Sequence, residues 1–191
     1  MKILVLNGSP RPKGNTAGMV AAFRETAEQH GHLVRVFNVC RMNIKGCLAC
    51  ERCHGKGEGK CAQRDDMDTI YAELKDTEML VLAAPIYYHG ISGQLKCAID
   101  RFYSALYPAA PPSLKKAAMF LSSGDPDMYV GARFSFEGDF LGYLGLEDKG
   151  LYTNHDRNVM EKIREHEERL RSASDPVRFR KDTLCPDREL C

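Results

Sequence analysis

Ile3-Leu4-Val5-Leu6 runs without a break into Asn7-Gly8-Ser9-Pro10-Arg11-Pro12-Lys13-Gly14-Asn15-Thr16, and a helical apolar spacing at Met19, Val20, Phe23 and Ala27 follows. A continuous apolar run suits a strand covered on both faces, and the turn residues behind it end that strand before a helix begins. The unit is therefore strand, loop, helix, with the loop at the helix N-terminus. Free backbone N–H groups and the helix dipole converge there, so the loop suits an anion. Ser9, Asn15 and Thr16 add side-chain donors, Gly14 allows close backbone approach, and Arg11 supplies charge. A Walker loop would need G-x-x-x-x-G-K-[ST], whereas Lys13 precedes Gly14; the dinucleotide pattern G-x-G-x-x-G is absent as well. The plainer alternative is a Pro- and Ser-containing turn with an N-cap at Asn15 or Thr16.

Working outward, Met79 to Ala84 and Ala117 to Leu121 are further continuous apolar runs, with Leu33 to Val39 and Leu151-Tyr152 as weaker strands. Between them Met67, Ile70, Tyr71 and Leu74 fall at helical spacing, as do Leu95, Ala98, Ile99, Phe102 and Leu106. Phe136, Phe140, Leu141 and Leu144 mark another helix, and Val159, Ile163 and Leu170 a last, charged one. Strands alternating with helices predict an α/β, three-layer sandwich. Right-handed crossovers at this length favour a five-stranded parallel sheet of the flavodoxin-like order 2-1-3-4-5. Ligands of such sheets bind beyond the carboxyl ends of the strands, here the loops after strands one, three and four.

Two segments break the alternation. Residues 40–63, rich in Cys, Gly and Lys, are too long for an ordinary loop and read as a functional insertion in a domain spanning 1–172. Residues 173–191 read as a C-terminal tail that packs on a neighbouring subunit or is mobile. The chain of 191 residues carries 27 basic and 26 acidic side chains, and a net charge of +1 offers no electrostatic case for nucleic acid or an anionic membrane. No apolar run approaches the ~20 residues of a membrane span, and the first is too short for a signal peptide, so a cytoplasmic protein is expected. Eight cysteines in a reducing compartment point to metal or redox chemistry rather than disulfides.

Gly8 to Thr16 resembles the G-S-P-R-x-x-G-N-T loop of flavodoxin-fold NAD(P)H-dependent FMN reductases. Asp65-Asp66-Met67, Pro85-Ile86-Tyr87-Tyr88, Gln94-Leu95-Lys96 and Ile99-Asp100-Arg101 resemble that family's later motifs in order and spacing, so the likeness covers residues 1 to about 125. The resemblance implies that Ser9, Arg11, Gly14, Asn15 and Thr16 hold the FMN phosphate. It also places Pro85, Ile86, Tyr87, Tyr88, His89 and Gly90 beside the flavin ring. A flat ring with a polar edge needs aromatic or aliphatic surface and backbone donors, which this segment has; the alternative is that the tyrosines pack in a core or interface. His89 stands where a small residue is expected, either as a proton donor near the flavin N1–C2=O edge or as a solvent-facing loop residue. Ser123, Gly124 and Asp125 form the expected third loop, with helix capping as the other role for Asp125.

Cys47, Cys50, Cys53 and Cys61 read C-x2-C-x2-C-x7-C. Thiolates two residues apart can converge on one cubane, and the run matches the start of the bacterial ferredoxin pattern better than paired zinc knuckles. The iron-sulfur flavoproteins, a subset of the family, are similar in this loop, which implies a 4Fe-4S cluster; free thiols or a labile disulfide are the rival reading. His54 is adjacent as an extra ligand or a solvated residue, Cys40 and Cys97 read as packing residues, and Cys185 and Cys191 stay unassigned. The resemblance implies an FMN-dependent oxidoreductase passing electrons from NAD(P)H or a ferredoxin to a small acceptor such as a quinone or flavin. Hydride transfer to the flavin requires no side chain as acid or base, and a homodimer or homotetramer is expected. The alternatives are a flavodoxin-type electron carrier, against which the charge of +1 weighs mildly, and a nucleotide-binding regulator without flavin.

Overall fold

The computed structural model describes residues 1–163. Strand β1 (Lys2–Asn7) leads through the Gly8–Gly14 loop to α1 (Asn15–Gln29) and β2 (Leu33–Asn38). After residues 39–66 come α2 (Met67–Leu74), β3 (Met79–Tyr87), β4 (Gly90–Ile91), α3 (Gly93–Arg101) and α4 (Tyr103–Leu106). Strand β5 (Lys116–Ser122), α5 (Val130–Ser135), a π-helix (Phe136–Tyr143) and β6 (Glu147–Thr153) complete the elements, and a helical turn starts at Val159.

The sheet runs β2-β1-β3-β5-β6 with every neighbouring pair parallel. This is the expected 2-1-3-4-5 order in a different numbering, and the difference is β4, a two-residue strand antiparallel to the end of β3. The strand period of two divides β1 between the faces. Leu4 and Leu6 join Ile70, Leu95 and Phe136 in one core cluster, whereas Ile3 and Val5 join Met19, Phe23 and Ile163 in the other. Helices thus cover both faces, and the chain reverses direction across the sheet between β1 and β3.

Three elements depart from expectation. The helix expected through Leu95 to Leu106 is broken at Phe102 into α3 and α4. The helix marked by Phe136 to Leu144 is a π-helix continuing α5, so it starts six residues earlier than its apolar spacing suggests. The strand expected through Val39 ends at Asn38, where a 3-10 turn begins. Leu170 and the tail with Cys185 and Cys191 lie outside the described residues.

Candidate functional site

Gly14 is the N-cap of α1, and being glycine it offers no side chain to cap the helix; neither Asn15 nor Thr16 takes that place. The first intrahelical bond is Gly18 N–H to Gly14 O at 2.9 Å, so the amides of the first turn precede it, and no acidic residue neutralises them. A Cβ on Gly14 would come within 3.1 Å of the Arg11 Cβ, which keeps the loop close over the helix end. Arg11 and Asn15 are exposed at its mouth. Ser9 and Thr16 are turned inward: the Ser9 hydroxyl bonds the Arg11 backbone at both its N–H and its carbonyl, and the Thr16 hydroxyl lies 2.6 Å from that of Ser122. The residues fit an FMN phosphate in donor type and charge, with the amides and Arg11 as the outward-facing groups.

The loops after β3 and β5 meet this one. Gly8 N–H donates to Ala83 O at 2.8 Å, and buried Ser92, the N-cap of α3, donates to Gly8 O at 2.9 Å. A Cβ on Gly8 would stand 2.6 Å from the Ser92 hydroxyl, so glycine is required for this approach. Pairing of Ile86 with Ile91 and Tyr87 with Gly90 leaves Tyr88 and His89 as a two-residue turn, with φ of 50° and 61°. Asn and Gly are the usual residues for such a turn, and strain of this kind gathers at ligand sites. Pro85 is half-buried and Ile86 buried, while Tyr87 and His89 are exposed and Tyr88 is 100% exposed. The segment is thus a projecting aromatic hairpin rather than core packing.

Ser123 and Gly124 follow β5 as expected, and Asp125 caps no helix; its carboxylate accepts the Asp127 N–H at 2.9 Å. The residue holding this loop was not anticipated. Asn154, just beyond β6, accepts from Ser123 N–H at 2.8 Å and donates to Ser123 O at 3.0 Å, and Tyr129 O–H donates to it at 2.8 Å. A polar residue at the carboxyl end of the last strand is the signal that could have found it.

The cysteine loop has a tight neck and a strained body. Buried Arg101 forms a two-pronged ion pair with Asp65, at 2.7 and 3.2 Å, and also donates to Lys45 O. Asp66 accepts from Asn43 N–H, and Gln63 donates to Gly46 O, so both sides of the loop are joined. Burial raises the Asp65 pKa, but Arg101 and the Met67 and Lys45 amides outweigh it and hold the carboxyl below the usual range. Within the loop Ala49, Glu51 and Glu58 have positive φ, and a Cβ on Gly57 would lie 2.6 Å from two carbonyl oxygens. Cys47 and Cys50 are exposed, Cys61 is half-buried and Cys53 is buried. Burial, then the nearby charges of Cys61 and Cys47, push the Cys53 thiol up against the pull of backbone amides. Among the described residues no three His, Cys, Asp or Glu side chains are gathered as a metal site. The donor chemistry fits an iron-sulfur cluster, whereas the present positions of the thiols do not.

His54 is no free loop residue: its ring lies 4.3 Å from that of Tyr103, and Nε2 is 2.8 Å from Tyr103 O. Cys40 also does more than pack, since its thiol donates to Ser9 O at 2.9 Å.

Comparison with known proteins adds four findings about this chain. An iron-sulfur flavoprotein of Methanocaldococcus jannaschii is 35% identical over 101 residues, 53% of this chain and 51% of that protein. This chain therefore spans about half the length of that relative. YwqN of Bacillus subtilis, provisionally named an NAD(P)H-dependent FMN-containing oxidoreductase, is 28% identical over 176 residues, covering 87% of this chain and 92% of its own. The solved structure of an NAD(P)H:quinone oxidoreductase from Methanothermobacter marburgensis superposes with a TM-score of 0.67 at 19% identity, over 92% of this chain and 98% of the other, which establishes the shared fold. Residues 1–135 match the family model described as NADPH-dependent FMN reductase, and with the loop geometry above this chain belongs to that family.

Proposed function

We propose that this chain binds FMN across the carboxyl ends of β1, β3 and β5 and transfers electrons from NAD(P)H to a small acceptor such as a quinone or a flavin. The observation that carries this reading is the uncapped N-terminus of α1, around which the loops of three adjacent strands are tied by Ser92, Thr16 and Asn154. Amides of the first turn of α1, with Arg11 and Asn15, would bind the phosphate, while Ser9 and Thr16 would shape the loop around it. Pro85 to Gly90 would flank the ring, and Ser123, Gly124 and Asp125 would line its other side. FMN when bound supplies the hydride chemistry; the chain supplies position, desolvation and electrostatics. No side chain is assigned a proton-transfer role. A homodimer or homotetramer, ferredoxin as an alternative partner and a cytoplasmic location belong to this proposal and rest on the family likeness. Among the described residues no helix is long and apolar enough to cross a membrane.

For Cys47, Cys50, Cys53 and Cys61 we propose a 4Fe-4S site, supported by their spacing and by the names of relatives. The reading is tested by steady-state oxidation of NADH and NADPH by FMN-loaded protein with a water-soluble quinone. Turnover dependent on FMN supports the enzyme, tight FMN binding without turnover supports the carrier, and failure to bind FMN removes both.

A further inference from the structure

A cavity of about 420 Å³ lies between α3 and α4 on one side and α5 with the π-helix on the other. We propose that it is a binding site for a flat, uncharged aromatic molecule of two or three fused rings. The site borders the β3–β4 hairpin at Gly90 and Ile91 but is built mainly from α3, α4, α5 and the π-helix, and it stands whether or not FMN binds beyond the sheet ends. Its interior reaches Met119 on β5, between Phe102 and Leu106 on one wall and Phe136 and Phe140 on the other, and all five side chains are almost fully buried. Native interiors leave few voids larger than a water molecule, whereas small-molecule sites run from about 300 to 1,000 Å³. The volume belongs to the second class.

Small residues keep the space open. Gly131, Ala132 and Ser135 line it from α5, and Gly131 cannot enlarge because a Cβ there would sit 2.7 Å from His89 O. The facing wall is the π-helix, which turns Phe136, Asp139, Phe140 and Tyr143 toward the cavity. Such helices are rare and gather at functional sites, so the wall is a second observation independent of the volume.

The mouth selects for flatness. Tyr107 and Tyr143 are nearly parallel, at 5° and 6.3 Å between ring centres, and Tyr103 lies 5.1 Å from Tyr107. Tyr107 and Tyr143 are about half exposed, which leaves ring faces available for stacking. Charge selects against anions. The charged residues of the lining are Lys96 and Asp100, paired with each other, and Asp139, so no unpaired cation faces a phosphate or carboxylate.

The test is calorimetric titration of 2-naphthol into the full chain, free of flavin and saturated with FMN. One site with similar affinity is expected in both forms. Ser135→Trp, which inserts a ring from an exposed position, and Tyr143→Ala, which removes a wall, should each weaken naphthol at least tenfold while FMN affinity stays within twofold. The proposal is overturned if no binding is found up to the solubility limit. It is equally overturned if binding needs FMN and neither variant changes it, since naphthol would then be stacking on the flavin. Loss of self-association in Ser135→Trp, with no naphthol binding to the wild type, would assign the cavity to a second copy instead.

Discussion

Arg11 and Asn15 face solvent at the mouth of the first loop while Ser9 and Thr16 are turned inward, and this division sorts the effects expected of each. Arg11→Ala should weaken FMN by roughly 10- to 100-fold, the range for losing one charge-assisted hydrogen bond of about 1.5–3 kcal/mol, and leave riboflavin unchanged. Thr16→Ala removes the link to Ser122 and should weaken both flavins, because it loosens the contact between two loops rather than the phosphate contact alone. Flavin fluorescence titrations with FMN and riboflavin separate the two patterns. Hydroxyls, glycine and arginine at the right spacing were enough to identify this loop from sequence. Their orientation was not, because a hydroxyl that folds the loop and one that would face a phosphate are identical in a string of letters. Asn154 was missed for a related reason: it bonds Ser123 across 31 residues, and no local pattern encodes that contact.

The β3–β4 hairpin places Tyr88 and His89 at positive φ, a conformation that costs roughly 1–2 kcal/mol per residue without glycine. Replacing the pair by Asn-Gly should therefore raise Tm by several degrees, at roughly 2–4 °C per kcal/mol for a chain of this size, while weakening FMN and slowing NAD(P)H oxidation. Thermal melts of the flavin-free protein beside activity assays give both readings. Higher stability with unchanged flavin affinity would show the strain to be idle. The neck of the cysteine loop is the second element with a defined expectation. Asp65→Ala leaves the Arg101 guanidinium buried and uncompensated, which should cost about 3–5 kcal/mol in urea unfolding at pH 7. Because the Asp65 pKa is lowered in the fold, its contribution is fully present above the unfolded value of about 3.9 and is lost as pH falls through the lower folded value. The variant should therefore lose less stability than the wild type on acidification below about pH 4, as denaturation at several pH values would show. From sequence the hairpin read as an aromatic loop and Arg101 as one member of a motif. The strained turn lacks the usual Asn-Gly, and a helix-borne arginine gives no sign that it is buried.

Across the whole molecule, the three continuous apolar runs became the central strands β1, β3 and β5, because strands buried on both faces leave that mark, while the weaker segments at Leu33 and Leu151 became the part-exposed edge strands β2 and β6; few topologies satisfy right-handed crossovers. Helix interiors were less readable: nothing in Phe136 to Tyr143 distinguishes π from α hydrogen bonding, and no Gly or Pro marks the break at Phe102. The cysteine run was recognised at once, yet the folded loop keeps its thiols ungathered, so spacing alone does not decide occupancy. Cys50→Ala should abolish most iron and acid-labile sulfide in anaerobically reconstituted protein while FMN stays bound; a wild type without iron after reconstitution would reduce the loop to free thiols. The central claim is that the end of α1 receives a flavin phosphate. Its most direct measurement is a titration of flavin-free protein with FMN and with riboflavin under the same conditions. One FMN per chain, bound at least tenfold tighter than riboflavin, is expected; equal affinity for the two, or no binding of FMN, would contradict it.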